Sequence, residues 1–365
     1  MPERNRAVLC LEPGWRCYTH RMAVDPSLLR LLVCPRHAKP LSEAGSSLCC
    51  EAGHQYPVVD DVPVLLDDGP QTLWVAEYSL KQAEHRDLDA AEDPYHLDTA
   101  GISENERAEV KRLLRSKSVG YIDPLVSLLI GATNGIAYKH LIGKLQEYPI
   151  PELRLPPANG QVLLDVGCNW GRWCIAAARL EYTAIGIDPS LGAVLAAKRV
   201  AAQLGLNAKF VVGDARSLPF QTGSMDVVFS YSVLQHFSSR DATSAIKEIG
   251  RVLQANGRSI IQMPTVLGMR CIYHQARRRF RKARDFEVRY WSIPALRQLF
   301  TEYVGRTTFS VDCFFGIGLQ VADLRLMPPN LRAVIRAAEL LRKTSRVLPW
   351  LSYFADSVYV ESTRR

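Results

Sequence analysis

Hydrophobic positions change their spacing three times along the chain. From Gln161 to Pro264, short apolar runs alternate with stretches of helical period. The runs are Val162-Leu163-Leu164, TAIGID (Thr183–Asp188), AKFVV, a stretch from Asp226 to Ser230, and SIIQM. Between them lie CIAAARL (Cys174 to Leu180), Gly192 to Leu204, a stretch opening near Leu234, and IKEIGRVL, with a glycine turn expected at Gly257. Buried strands alternating with helices predict an open, mostly parallel α/β sheet. Upstream, Glu104 to Lys117 has helical period with Ser103 as N-cap, Asp123-Pro124 opens a second helix, and Gly135 to Gln146 reads as a third. Pro149, Pro151, Pro156 and Pro157 stiffen the connector into the sheet. Downstream, Ile293 to Phe300 predicts a helix and Thr307 to Phe315 a sixth strand. Pro329 to Arg346 is amphipathic, with Leu331, Ile335, Ala338 and Leu341 on one side, which suits a packing or homodimer helix. Asp356 to Ser362 predicts a seventh strand, antiparallel, at the far side.

The chemistry concentrates where the first strand ends, in QVLLDVGCNWGRWC (Gln161 to Cys174). Strand, glycine turn and helix N-terminus build the nucleotide site of open parallel sheets at the strands' carboxyl ends. Gly167 and Gly171 let backbone approach a ligand, and Asn169 tolerates positive φ. A pyrophosphate site needs Gly-x-Gly-x-x-Gly. Here the spacing is Gly-x-x-x-Gly, and Asp165 would repel a pyrophosphate while suiting the ammonium group of a methionine moiety.

The loop resembles motif I of the class I S-adenosylmethionine-dependent methyltransferases, Asp-x-Gly-x-Gly-x-Gly, with Asn169 in place of the middle glycine. The resemblance runs from about Gln161 to Pro264 through five strand-helix units. It implies a Rossmann-like, seven-stranded methyltransferase domain at 158–365 with S-adenosylmethionine as cofactor. On that reading Asp165, Gly167, Asn169 and Gly171 form the loop, and Asp188 meets the ribose diol. Asp214 accepts from the adenine amino group, and Ala215 and Ser230 border the pocket. Leading helices commonly cover the cofactor in this family, so Tyr138 is a lid contact or, better, a packing residue. A dehydrogenase of the short-chain type is excluded, since no tyrosine lies four residues before a lysine.

A second constellation precedes the sheet. Cys34-Pro35-Arg36-His37 and Cys50 with His54 make two tight ligand pairs separated by a twelve-residue spacer, a donor set suited to tetrahedral Zn²⁺. Residues 22–70 resemble the small zinc ribbons of tRNA-methyltransferase activators and of some rRNA guanine methyltransferases, through Leu32-Val33-Cys34-Pro35 and Tyr56-Pro57-Val58 as well as the ligands. His37 replaces a cysteine of that pattern, Ala52 stands where another would be, and Cys49 competes with Cys50 as ligand. Residues 1–21 show no periodicity and are expected to be disordered, with Met22 an alternative start. Residues 71–157 form a helical linker or lid.

Composition changes the picture little. The 365 residues carry a net charge of +8, 47% hydrophobic and 22% charged side chains, ordinary values for a soluble globular chain of two or three domains. No run is long enough to span a bilayer; Leu125 to Ile136 comes nearest and is interrupted. No secretion signal is legible and five of nine cysteines precede Glu51, which favours metal over disulfides and a cytoplasmic setting. Thr265 to Trp291 holds eight cations interleaved with Tyr273, Phe280, Phe286, Tyr290 and Trp291, a cap suited to an anionic acceptor or to a solvated face. Past the fourth strand, His236 is a candidate general base with Tyr231 beside it. An Asn-Pro-Pro-Tyr motif is absent there, which argues against amino-methylating DNA and protein enzymes. The expected function is methyl transfer to a small molecule, glycan or biosynthetic intermediate. Methylation of rRNA or tRNA is the alternative, and a non-catalytic binding scaffold is the reading from another class.

Overall fold

The computed structural model describes residues 24–67, 74–84, 93, 95–115, 122–133, 136–316 and 318–365. The arm expected at 1–21 lies outside them. Four short strands open the described chain: β1 (Leu41–Ala44), β2 (Ser47–Cys50), β3 (Gln55–Val59) and β4 (Val62–Leu65), paired antiparallel in sequence order. The nucleotide-type unit follows as β5 (Val162–Val166), β6 (Thr183–Asp188), β7 (Ala208–Gly213), β8 (Met225–Ser230) and β9 (Leu253–Pro264), then β10 (Gly305–Cys313) and β11 (Ser357–Arg364). All eleven form one sheet in the order β1-β2-β3-β4-β7-β6-β5-β8-β9-β11-β10.

Two features of that order were not expected. First, β4 lies parallel on β7, Val64 opposite Val212, so the small N-terminal unit extends the main sheet. Second, β11 does not lie at the far side; it is inserted antiparallel between β9 and β10. The side chains give the reason: β11 begins with four buried residues, Ser-Val-Tyr-Val, whereas β10 alternates buried with exposed Arg306, Thr308 and Ser310, as an edge strand can.

Local expectations are corrected in smaller ways. The turn expected at Gly257 is a bulge inside β9, where Asn256 takes the left-handed conformation at φ 63°. The stretch from Leu234 is a single 3₁₀ turn to His236, and the α-helix starts afresh at Ser239 with the Ser238 hydroxyl capping Asp241 N. The third linker helix is likewise only 3₁₀, Ile136–Leu141. Ser103 and Glu106 do form the capping box of the helix Glu104–Arg115, each side chain binding the other's backbone N–H.

The sheet order reverses between β5 and β8, which opens a crevice at the carboxyl ends of those strands. Apolar side chains pack both faces. One cluster joins ribbon residues Leu32, Leu48 and Tyr56 to Ile187, Val211 and Phe220, so the N-terminal unit shares the core of the sheet. The linker helices supply a third cluster around Leu125, Leu129, Tyr138 and Trp170.

Candidate active site and metal centre

The loop after β5 is held down by backbone bonds to the neighbouring strand: Gly167 N and Cys168 N both donate to the Ile187 carbonyl, at 2.8 and 3.0 Å. Gly167, Asn169 and Gly171 all take positive φ, 78°, 47° and 80°. Space demands glycine too. A Cβ on Gly167 would stand 2.2 Å from Val233 Cγ2, and one on Gly171 2.9 Å from the Ala197 methyl.

Two carboxylates face this loop. Asp188 ends β6, where Asn169 N and Ser190 N donate to separate oxygens at 2.9 and 3.0 Å. Burial pushes its carboxyl up to about 6, against the lowering effect of those two amides. Asp165 is almost wholly buried in β5. The Cys174 thiol donates to its Oδ2 at 3.4 Å, while Oδ1 has no partner among the described residues. Burial, with the Asp188 charge adding to it, pushes this carboxyl up to about 7. Asn169 Oδ1 is also buried without a described partner. Buried acceptors without donors, in a loop whose glycines leave backbone accessible, fit a ligand that brings an ammonium group and hydroxyls. The residues present therefore suit S-adenosylmethionine.

The remaining sequence candidates are placed less simply. Asp214 follows β7, but Arg216, which the sequence reading passed over, binds both its oxygens; the backbone N and Nε reach Oδ1 at 2.8 and 3.0 Å. Ala215 lies buried beside it. The Ser230 hydroxyl is engaged by the Val166 carbonyl at 2.8 Å, tying β8 to β5. Tyr138 is fully buried and donates to Asp323 Oδ1 at 2.7 Å, a packing role.

Tyr231 donates to Asp312 Oδ2 at 3.1 Å, and Ser357 Oγ donates to the same oxygen at 2.8 Å. Burial first, then the Asp312 charge, hold its phenol well above its ordinary value, so it stays protonated. Its ring packs against Trp173 and Tyr359, centroids 4.9 and 6.2 Å away. His236 stacks flat on Phe286 at 4.0 Å, and its Nδ1 lies 2.7 Å from the Phe286 carbonyl. A carbonyl can only accept, so Nδ1 carries the proton and Nε2 accepts from Gln235 Nε2 at 3.2 Å. Burial lowers its pKa, so the ring is neutral near pH 7. Asp312 and Phe286 were not foreseen, because only the return of distant segments to one rim brings them here, whereas Gln235 adjoins His236 in sequence.

The excursion 265–291 leaves β9 and returns to it, with Trp291 N donating to the Pro264 carbonyl and Val266 N to the Trp291 carbonyl, both at 3.1 Å. Arg289 fastens it to the loop after β8 through the Gln235 and His236 carbonyls, at 2.8 and 2.7 Å. Arg278 reaches the Val288 carbonyl and stacks on Tyr290, and Arg281 pairs with Glu287.

Around the first N-terminal strands, far upstream of β5, Cys34, His37, Cys50 and His54 bring four ligand atoms within 4.8 Å of one another. Cys34 Sγ and His37 Nδ1 are 3.6 Å apart, as are Cys50 Sγ and His54 Nδ1. A tetrahedral zinc site has ligand-to-ligand edges of about 3.3–3.8 Å. The donor set therefore fits Zn²⁺, with Tyr56 OH 3.1 Å from Cys34 Sγ as an outer partner. Cys50 is in the cluster and Cys49 is not.

Comparison with known proteins agrees with the central geometry. Residues 163–257 match the family described as a methyltransferase domain. The chain is 33% identical over 100 residues to the uncharacterized methyltransferase YcgJ of Bacillus subtilis, covering 27% of this chain and 39% of that protein. It is 36% identical over 124 residues to the ubiquinone biosynthesis O-methyltransferase of Brucella anthropi, covering 30% and 50%. It is 36% identical over 109 residues to the ajmaline N-methyltransferase of Rauvolfia serpentina, covering 29% and 36%. The chain thus spans half or less of the length of these relatives. Loop, strand order and family match coincide on one stretch: residues 163–257 are a methyltransferase domain of the class I, S-adenosylmethionine-dependent type.

Proposed function

We propose that this protein is an S-adenosylmethionine-dependent methyltransferase acting on a small molecule, glycan or other biosynthetic intermediate. The observation that carries the reading is the loop Gly167–Gly171 facing Asp165 and Asp188, one buried and one half-buried carboxylate with acceptor capacity to spare. When bound, the cofactor supplies an activated methyl group on a sulfonium. Asp188 would accept from the ribose hydroxyls and Asp165 would face the ammonium group. Ala215 would border the adenine, with Asp214 available only if Arg216 releases an oxygen. Positioning provides most of the catalysis in such a displacement. Neutral His236, with Nε2 as acceptor, is the residue able to take a proton, while Tyr231 orients through Asp312. Similarity to a ubiquinone biosynthesis O-methyltransferase and an ajmaline N-methyltransferase supports a small acceptor.

Methylation of RNA is the second reading, favoured by the eight cations of 265–291. Four donors in two pairs support a structural Zn²⁺ at Cys34, His37, Cys50 and His54. The deciding experiment is transfer from methyl-labelled cofactor to a metabolite extract and, separately, to total RNA. Label in the metabolite fraction is expected. Label in RNA alone would reverse the ranking, and cofactor binding without any transfer would favour a scaffold.

A further inference from the structure

Among the described residues, twelve of the fifteen large apolar side chains that stand exposed fall in two segments, Leu267–Phe286 and Leu340–Phe354. The fold joins these segments. Thr265 Oγ1 donates to the Ala355 carbonyl, and the backbone N–H groups of Arg270 and Cys271 donate to Asp356 Oδ1 at 2.7 and 3.2 Å. Gly268 lies so close that a Cβ there would stand 2.4 Å from Asp356 Cα. The helix Met269–Arg277 thus starts beside the end of the turn Pro349–Phe354, so the two exposed segments adjoin there as one composite face.

That face combines aliphatic groups (Met269, Ile272, Val347), aromatic ones (Phe280, Trp350, Phe354) and cations. Val347 is 80% exposed and Phe280 69%, a poor arrangement for solvent alone. Exposed Arg277, Arg279, Lys282, Arg284, Lys343 and Arg346 lie in the same two segments against one exposed carboxylate, Asp285, while Glu287 and Glu339 just outside them are held by Arg281 and Arg342. Polyanionic RNA would account for the arginines and for aromatic stacking, but not for aliphatic side chains presented beside them. A bilayer surface accounts for all three: cations meet anionic headgroups, aromatic rings sit at the interface, and aliphatic groups enter the acyl boundary. The first of these segments ends at Phe286, which stacks on His236, and Arg289 just beyond it donates to the Gln235 and His236 carbonyls.

We propose that this face docks the protein onto an anionic lipid surface, so that the methyl acceptor is an amphiphile reached from the membrane. The naming of the acceptor rests on the methyltransferase reading, whereas the docking does not.

Flotation of the full chain with phosphatidylcholine vesicles, with and without phosphatidylglycerol, tests it. Binding is expected only with phosphatidylglycerol present, weakened by salt but not removed by it. Replacement of Arg277 and Arg284 by glutamine should weaken partition by about fivefold per arginine. Serine at Trp350 and Phe354 together should release the protein, and brominated lipid should quench tryptophan emission in the wild type more than in Trp350→Phe. Calorimetry with S-adenosylmethionine on each variant should read unchanged, which also shows that it is folded. Failure to float, or flotation indifferent to every variant, overturns docking. So does a dimer that leaves vesicles unbound, or tight RNA binding lost in the arginine variant without vesicle binding. Vesicle binding without cofactor binding would sink the methyltransferase reading alone.

Discussion

Asp165 and Asp188 show how one residue type does two jobs at adjacent strand ends. Asp188 has two backbone amides to hold it and is only partly buried, so it can meet a diol and stay ordered. Its replacement by alanine should cost about 1.5–3 kcal/mol of cofactor binding, read by titration calorimetry; undiminished affinity would exclude it from the site. Asp165 has a thiol and an unpaired oxygen in a dry strand. Its folded-state pKa is raised to about 7, above an unfolded value of about 3.9. The stability it contributes is therefore full below about pH 4 and lost as pH rises through about 7. Asp165→Asn should raise the melting temperature of the ligand-free protein by a few degrees at pH 8 and not at pH 4, while weakening cofactor binding. A scanning fluorimetry series across that pH range checks the first part, and calorimetry the second. Equal shifts at both pH values would mean that the carboxyl does not titrate as argued.

At the scale of elements, two segments stand apart from the methyltransferase unit: the four N-terminal strands and the 265–291 excursion. The four ribbon strands are short and share their core with the sheet, so a metal at Cys34, His37, Cys50 and His54 would act as a local staple. Metal analysis should find one zinc per chain, lost in a Cys50→Ser, His54→Ala double variant; stoichiometric zinc in that variant would place the ligands elsewhere. The 265–291 excursion uses its arginines unequally. Arg278 and Arg281 are engaged by Val288, Tyr290 and Glu287, so reversing their charge would disturb the excursion itself. Arg277 and Arg279 are exposed and are the better probes of any anionic ligand. Charge reversal at these two should change salt-dependent binding without altering cofactor affinity, and a change in both would imply that the excursion had moved.

For the whole molecule, continuity of the sheet matters most. The ribbon docks through Val64 on Val212 and through the Leu31 and Pro35 carbonyls, which accept from Gln221 N and Ser217 Oγ at 2.8 and 2.9 Å. Arg216 and Asp214 lie in that same loop, so ribbon and cofactor end are mechanically adjacent. If the ribbon holds zinc, a strong chelator should lower the temperature of a single calorimetric transition. Two well-separated transitions would show that the ribbon unfolds independently. Among the described residues no helix is long and apolar enough to cross a membrane.

The local repeat of short apolar runs, glycine turns and strand-end acids determined by itself that residues 163–257 build a nucleotide-type sheet. Strand period and turn chemistry are encoded in neighbouring residues and survive without the rest of the chain. The paired Cys and His donors near the N-terminal strands were legible for the same reason, their short spacings, although only burial and mutual distance separate Cys50 from Cys49. Tertiary structure decided what depends on residues far apart in sequence. The interior place of β11 follows from two long-range pairings, and the engagement of Tyr231 by Asp312 from the return of β10 to the rim. The stacking of Phe286 on His236, and the meeting of two exposed apolar segments, follow from chain closure at Thr265, Trp291 and Asp356. Those contacts carry no local signature, because each is fixed by how the sheet is ordered and not by the residues on either side of it.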